Sequence, residues 1–357
     1  MISTGGSQFK TLSSSDPQFH SYLRGTFSNE QMAVPVSTLN VRSQTEEVTF
    51  ELVDKKDISK PSLSAILLKL LRPQTLTFSV GTMIVSFIVA TRLHLELDPT
   101  LSLLTIFAVL FFHAAINLLN DYYDHVKGHD RINPRGGSRV IQLAWMPAHA
   151  VQKMGFGFLG LSFLLGIPVL VSHSSVVIAL AGISALAGLE FSTHKLGLKN
   201  LGLGEYLVFF LTGPFLTCGF VWATSGRFHS EMIYLGSIFG FATLFFYHVS
   251  NIENILVDAQ ANRKTWAVHT GIDRAKKILW LLAGLITLSY FAFAFTFDQL
   301  NWFTFTLTYI VIGLNLGLIC IKSSRALSPL SSDLESIRTR SLRLHWLIVI
   351  CMIIVTI

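Results

Sequence analysis

The chain has 357 residues, of which 51% are hydrophobic and 13% charged, with a formal net charge of +6. Soluble domains carry about 25% charged residues. That deficit, with a mean hydropathy of +0.54, excludes an ordinary water-soluble globule and makes lipid the expected solvent. The basic residues sit between apolar runs, which fits an anionic membrane surface and not nucleic acid.

The opening residues lack a secretory signal. Residues 1 to about 60 are polar, rich in Ser and Thr and without periodicity, and are expected to form a disordered tail before a membrane domain spanning 62–357. Leu63 to Leu71, with Lys69 and Arg72 beside it, has the pattern of an amphipathic helix lying along the interface. Nine apolar windows follow, at 75–92, 100–119, 154–173, 175–192, 205–224, 231–250, 277–297, 302–321 and 341–357. The expected fold is therefore an all-α polytopic membrane bundle of nine spanning helices. Cys218, Cys320 and Cys351 lie in apolar stretches with no CxxC spacing and read as buried thiols.

Loop charges set the expected orientation. The loop after the second window carries Lys127, Arg131, Arg135, Arg139 and Lys153, and the alternate loops that follow are also basic. The opposite loops offer only Arg92 and Arg227. This bias places the N-terminus and the basic loops in the cytoplasm, of the inner membrane in a bacterial cell.

Two polar clusters interrupt the pattern. Asn117, Asn120, Asp121 and Asp124 close the second window at i, i+3, i+4 and i+7, so all four share one helix face. Ionisable groups at membrane depth are costly and usually functional. Carboxylate and amide oxygens are also the ligands a hard cation such as Mg²⁺ prefers. Asn251, Asn254 and Asp258 form a matching stripe closing the sixth window, while Glu253 points away from it. Asp258 follows Asp124 by 134 positions (258 − 124), as in two related halves meeting at one polar site.

Basic and Gly-rich loops follow each cluster. The first holds Lys127, Gly128, Asp130, Arg131 and Gly136-Gly137-Ser138-Arg139; the second holds Arg263-Lys264-Thr265. Between them lie Ser192-Thr193-His194-Lys195, Lys199 and Gly202-Leu203-Gly204-Glu205. Paired glycines admit backbone N–H groups close to an anion, and arginine binds phosphate oxygens bidentately. Together with two acidic stripes, these loops describe a site for a metal-bound polyanion.

These motifs, in this order, resemble the UbiA superfamily of membrane prenyltransferases. The run from Asn117 to Asp130 resembles its first Asp-rich motif, and Gly136-Gly137-Ser138-Arg139-Val140 resembles the signature of the branch that prenylates 1,4-dihydroxy-2-naphthoate towards menaquinone. Arg72-Pro73-Gln74-Thr75-Leu76 is similar to the family's entry into its first span, and 191–205 to its loop between spans four and five. Asp258 with Arg263-Lys264-Thr265 is similar to the tail of the second motif. The resemblance implies helices around a central cavity open to lipid, with Mg²⁺ held by Asn120, Asp121 and Asp124 on one side and Asn254 and Asp258 on the other. It implies diphosphate binding by Lys127, Arg139 and Lys199, with Arg72 and Asn117 as further substrate contacts. Asp121, Asp124 and Asp258 are then the catalytic carboxylates, and Asp130 a candidate proton acceptor. The sequence departs from the family's DxxxD at Asn254, where an Asp is usual, and at Glu253 and Ser250-Asn251, where the family has Arg and an Asn pair. An amide oxygen coordinates a hard cation more weakly than a carboxylate.

The expected partners are a polyprenyl diphosphate, an aromatic acceptor and the bilayer. Homogentisate, 4-hydroxybenzoate, a chlorophyllide, haem and a sugar phosphate stay open as alternative acceptors. A cation carrier or lipid-binding protein is the competing class, since intramembrane carboxylates suit an ion path. Such a protein has no use for Gly-Gly-Ser-Arg and Arg-Lys-Thr beside the acids.

Overall fold

The computed structural model describes residues 8–172, 175–192, 197–297 and 300–357. In chain order these form β1 (Gln8–Ser13), α1 (Phe19–Arg24), β2 (Gln31–Leu39), β3 (Glu47–Asp54), α2 (Leu63–Leu71), α3 (Pro73–Arg92), α4 (Pro99–Val126) and α5 (His129–Ile132). There follow α6 (Ala148–Val171), α7 (Ser175–Ser192), a 3₁₀ turn (Leu198–Leu201), α8 (Gly204–Thr212), α9 (Pro214–Ser225), α10 (Glu231–Glu253) and α11 (Ile255–Gln260). The last elements are α12 (Trp266–Thr270), α13 (Ile272–Ala294), α14 (Trp302–Arg325) and α15 (Ser332–Thr356).

The membrane part is the expected all-α polytopic bundle. Among the described residues, eight helices have the length and apolar composition to cross a bilayer, α8 and α9 together making one. The shorter apolar helix Val177–Phe191, within α7, takes the place of the fourth expected window. Large apolar side chains such as Leu164, Leu186, Leu288 and Phe303 cover the outside of the bundle. The acidic stripes are buried within it, the arrangement lipid imposes.

Two helices differ from their windows in ways that matter. At 28 residues, α4 is about 42 Å long, more than a hydrocarbon core of about 30 Å requires. Its C-terminal turns therefore carry Asn120, Asp121 and Asp124 out to the polar end. Helix α15 begins nine residues before its window (341 − 332), because the charged turns from Asp333 to Arg343 continue the helix beyond its apolar stretch.

The fifth span breaks at Gly213, followed by Pro214, which opens α9 without needing a backbone donor. Around the break the backbones of α8–α9 and α10 nearly touch. A Cβ at Gly240 would lie 2.6 Å from the carbonyl oxygen of Phe209, and one at Gly213 would strike that of Gly236.

The N-terminal region differs from expectation. Instead of a disordered tail, residues 8–54 include a three-stranded antiparallel sheet of order β1-β3-β2, with α1 packed on it. Val48 and Phe50 on β3 are fully buried against Leu12, Phe19, Tyr22 and Leu23. The Ser/Thr content conceals this alternation, although Thr is itself a good strand former. Pro35 sits on edge strand β2 beside a register shift, where its missing donor costs no interior ladder bond.

We predict that Gly240→Ala, which must push two backbones apart, costs about 1–3 kcal/mol and lowers the thermal midpoint of the detergent-solubilised protein. Gly284→Ala, with open space around its Cβ, leaves the midpoint unchanged or slightly raised.

Candidate active site

The two acidic helix ends meet. Asp124, closing α4, and Asp258, on α11, are joined by Arg263: Nη2 lies 2.9 Å from Asp124 Oδ1 and Nη1 lies 3.5 Å from Asp258 Oδ1. Lys199 Nζ donates to the same Asp124 oxygen at 2.8 Å and also to Asn120 Oδ1. Arg72, in a left-handed conformation at the junction of α2 and α3, pairs with Asp121. The Ser138 N–H donates to both oxygens of Asp121, at 3.3 and 3.2 Å. His129 bridges the remaining pair, Nε2 at 2.8 Å from Asp258 Oδ1 and Nδ1 at 3.3 Å from Asp130 Oδ1. All four carboxylates are at most 3% exposed. Buried charges survive only when paired, and here Asp121, Asp124 and Asp258 have partners from other segments, while Asp130 pairs with its neighbour His129.

This packing shifts the ionisation of the loop groups. Burial weakens the Lys199 ammonium more than Asp124 strengthens it, bringing its pKa down to about 8. Burial and the neighbouring Lys199 bring Lys127 to about 8 as well. Burial also works against the Arg263 charge, but Asp124 and Asp258 more than offset it and hold its pKa above the usual guanidinium range. For His129, burial and Arg263 favour the neutral ring, yet hydrogen bonds to Asp130 and Asp258 prevail and raise its pKa.

A cavity of about 870 Å³ opens from this cluster. Arg72, Asn120, Asp124, Lys199, Asp258 and Arg263 line its polar end. One face of α4 lines its length, through Thr105, Ala108, Val109, Phe112, Ile116 and Asn120. From Asp124 back to Thr105 that face runs about 28 Å at 1.5 Å per residue. Beyond the polar end the walls are mainly apolar and aromatic, with Phe163, Phe191, Phe215 and Phe246 among them. The Ser79–His113 pair, 2.8 Å apart, is an exception within the wall.

Several expected site residues take other parts. The Arg139 guanidinium donates to the backbone oxygens of Asp130 and Asn133, at 2.6 and 2.8 Å, and does not line the cavity. It holds the loop. Asn117 lines the cavity, but its amide nitrogen donates to Leu71 O and Thr75 Oγ1, both at 3.0 Å, which anchors α3. Lys127 stays off the cavity wall, with Nζ 5.7 Å from the Tyr123 ring centroid. The paired glycines approach carboxylates: a Cβ at Gly136 would stand 2.5 Å from Asp130 Oδ1, and one at Gly137 (φ +59) would strike Asp130 Oδ2.

In the second stripe, Asn254 Oδ1 accepts from Asn133 Nδ2 at 3.2 Å, while Asn251 donates to the buried Glu205 at 2.9 Å. Glu253 points away, as expected, to Arg338 at 3.2 Å. Of the Arg-Lys-Thr run, only Arg263 lines the cavity, and Thr265 caps α12. Thr193, His194 and Lys195 lie outside the described residues.

Sequence reasoning assigned no role to His129 or Asn133 and named Arg263 only as part of a basic run. The His129-Asp130 dipeptide just after Gly128, next to the acidic stripe, was the available signal.

The sequence profile of the UbiA prenyltransferase family matches residues 79–329, more than two thirds of the chain. The protein belongs to that family and is a multi-pass membrane prenyltransferase. It is 23% identical over 261 residues to UbiA prenyltransferase domain-containing protein 1 of Dictyostelium discoideum, covering 71% of this chain and 78% of that one. It is 26% identical over 221 residues to the 1,4-dihydroxy-2-naphthoate octaprenyltransferase of Bacillus subtilis, covering 62% and 70%. The fold is also that of a UbiA homolog from Archaeoglobus fulgidus bound to GPP and Mg²⁺, with TM-score 0.57 and 16% identity over 81% of this chain and 98% of that one. A UbiA homolog from Aeropyrum pernix gives TM-score 0.61 and 13% identity, over 79% and 98%.

Arg263 pairs with both Asp124 and Asp258, so Arg263→Lys, which keeps the charge but loses the fork, is expected to cut prenyl transfer by roughly a hundredfold. The initial rate in membranes, normalised to the amount of protein, checks this.

Proposed function

We propose that this protein transfers a prenyl group from an allylic polyprenyl diphosphate to an aromatic acceptor, 1,4-dihydroxy-2-naphthoate or a similar quinone precursor, in a Mg²⁺-dependent reaction. The observation that carries the reading is the cavity itself: a long apolar groove whose polar end interleaves basic side chains, Arg72, Lys199 and Arg263 among them, with carboxylates. An amphiphile with an anionic head and a hydrocarbon tail matches both ends. The names of the Bacillus subtilis and Dictyostelium discoideum relatives support the acceptor class and the activity.

Among the described residues, the buried Nε atoms of Arg72 and Arg263 have no hydrogen-bond acceptor. Diphosphate oxygens would satisfy them, with Lys199 as a third donor. These groups stabilise the negative charge that develops as the allylic C–O bond breaks. The acceptor's ring carbon then forms a C–C bond to the allylic cation, its proton passes to the ring oxygen to restore the hydroxyl, and diphosphate departs. In this reading Asp130, which neighbours His129 and lines the cavity, takes a proton from a ring hydroxyl. The aromatic wall keeps water from the cation and offers it ring faces.

The all-oxygen donor set of Asn120, Asp121, Asp124, Asn254 and Asp258 fits a hard divalent cation. Oxygens of Asp124 and Asp130 with a His129 nitrogen already lie within 4.8 Å of one another. Bound there, Mg²⁺ would neutralise diphosphate charge. By the loop charges, the polar end and the N-terminal sheet face the cytoplasm.

Membranes containing the protein are expected to attach labelled geranylgeranyl or farnesyl groups to dihydroxynaphthoate in preference to homogentisate or 4-hydroxybenzoate, and Asp124→Ala is expected to abolish transfer. Full activity of that variant would refute the site. Preference for another ring would refute the acceptor alone.

A further inference from the structure

The loop joining β2 to β3, residues 40–46, reaches from the N-terminal sheet into the two loops that build the polar end of the cavity. Its shape is fixed internally. Asn40 and Arg42 have positive φ (49° and 61°), the Ser43 N–H donates to Asn40 O at 3.0 Å, and Arg42 N donates to Glu46 Oε2 at 3.3 Å.

Three side chains leave this hairpin tip for the bundle. Glu46, 7% exposed, pairs with Arg131, whose side chain is fully buried, in the turn that carries His129 and Asp130. Val41 packs on Gly128, where φ is +89 and a Cβ would fall 2.7 Å from Val41 Cγ1 and 3.3 Å from Glu46 Oε1. Arg42 Nη1 donates to Ala261 O at 2.9 Å, two residues before Arg263. Helix α1, packed on the sheet, is fastened separately, by Leu23 O to His125 Nε2 at 3.0 Å and Arg24 O to His149 Nδ1 at 3.1 Å.

Residues 40–46 lie outside the family match, which spans 79–329. The Archaeoglobus fulgidus and Aeropyrum pernix chains are covered to 98%, yet about a fifth of this chain is left over, and the family match begins only at residue 79. Within the bundle, the His129 turn and the Arg263 loop belong to segments more than 120 residues apart. The hairpin tip touches both.

We infer that Glu46 and Arg42 are positioning residues: the hairpin tip holds the His129-Asp130 turn and the Arg263 loop in register for the diphosphate. This inference rests on the prenyl-transfer reading. A shift of about 1 Å in either loop would separate Arg263 from one of its acids and His129 from Asp258, and displacements of that size cost up to roughly a hundredfold in rate.

The test uses the full-length protein with Glu46→Ala, Arg42→Gln, and the swapped pair Glu46→Arg with Arg131→Glu. Three quantities are measured: the thermal midpoint, its upward shift on adding inorganic pyrophosphate with Mg²⁺, and KM and kcat with geranylgeranyl diphosphate. The expected result is a near-normal midpoint in Arg42→Gln, a lowered one in Glu46→Ala, which leaves Arg131 buried without its carboxylate, and in both a diminished pyrophosphate shift and a loss in kcat/KM of about tenfold or more that includes a raised KM. The swapped pair should recover much of both. Unchanged KM and pyrophosphate shift in Glu46→Ala and Arg42→Gln would overturn the inference, as would a swapped pair no better than Glu46→Ala. If Glu46→Ala does not fold, Arg42→Gln, on the other loop, decides by the same quantities. If the unsubstituted chain transfers no prenyl group, the functional reading fails, while the pyrophosphate shift still tests the positioning claim.

Discussion

The polar end depends on one constraint: four carboxylates have been brought together out of water, and none can stay ionised there without a partner. Arg263 answers it across the molecule by touching both Asp124 and Asp258. Arg72, Lys199 and His129 complete the compensation from the start of α3, the turn before α8 and the turn after α4. The site is thus assembled from five stretches of chain, and its groups are held apart by opposite charge. A dianionic head carrying a divalent cation brings both signs of charge at once. It can therefore exchange with these internal pairs without leaving either the acids or the bases uncompensated.

The same constraint explains why the cavity is divided. Charge is concentrated where α4 and α10 outrun the hydrocarbon core, and the remaining walls are apolar. In the proposed reaction, binding energy from the tail is therefore separated in space from the bond that breaks. That separation lets contacts remote from the reacting carbon position it.

Much of this was legible in the sequence. The i, i+3, i+4, i+7 spacing from Asn117 to Asp124 gives the acidic face of α4 directly, because helix geometry alone decides which side chains share a face. It does not reveal what each one touches. Asn117 sits on that face yet secures Leu71 and Thr75, more than 40 residues away. Arg139 has the charge for diphosphate but uses it on two carbonyls of its own loop. The N-terminal sheet escaped notice because its core is a few apolar residues, masked by Ser and Thr. Its most consequential contact, Glu46 to Arg131, spans 85 positions. Asn254, the departure from the family's acidic motif, still lines the cavity with its oxygen held by Asn133, so the missing charge has not removed it from the site.

The central claim is that the ends of α4 and α11 grip a divalent ion together with the diphosphate. Its most direct test is an anomalous-scattering map of the protein crystallised with Mn²⁺ and an unreactive thiolo analogue of geranylgeranyl diphosphate. The account predicts metal density between Asp124 and Asp258, with the phosphorus atoms facing Arg72, Lys199 and Arg263 and the tail running along α4 towards Thr105. Metal and phosphorus density elsewhere, with the Arg263 bridge to both acids intact, would contradict it.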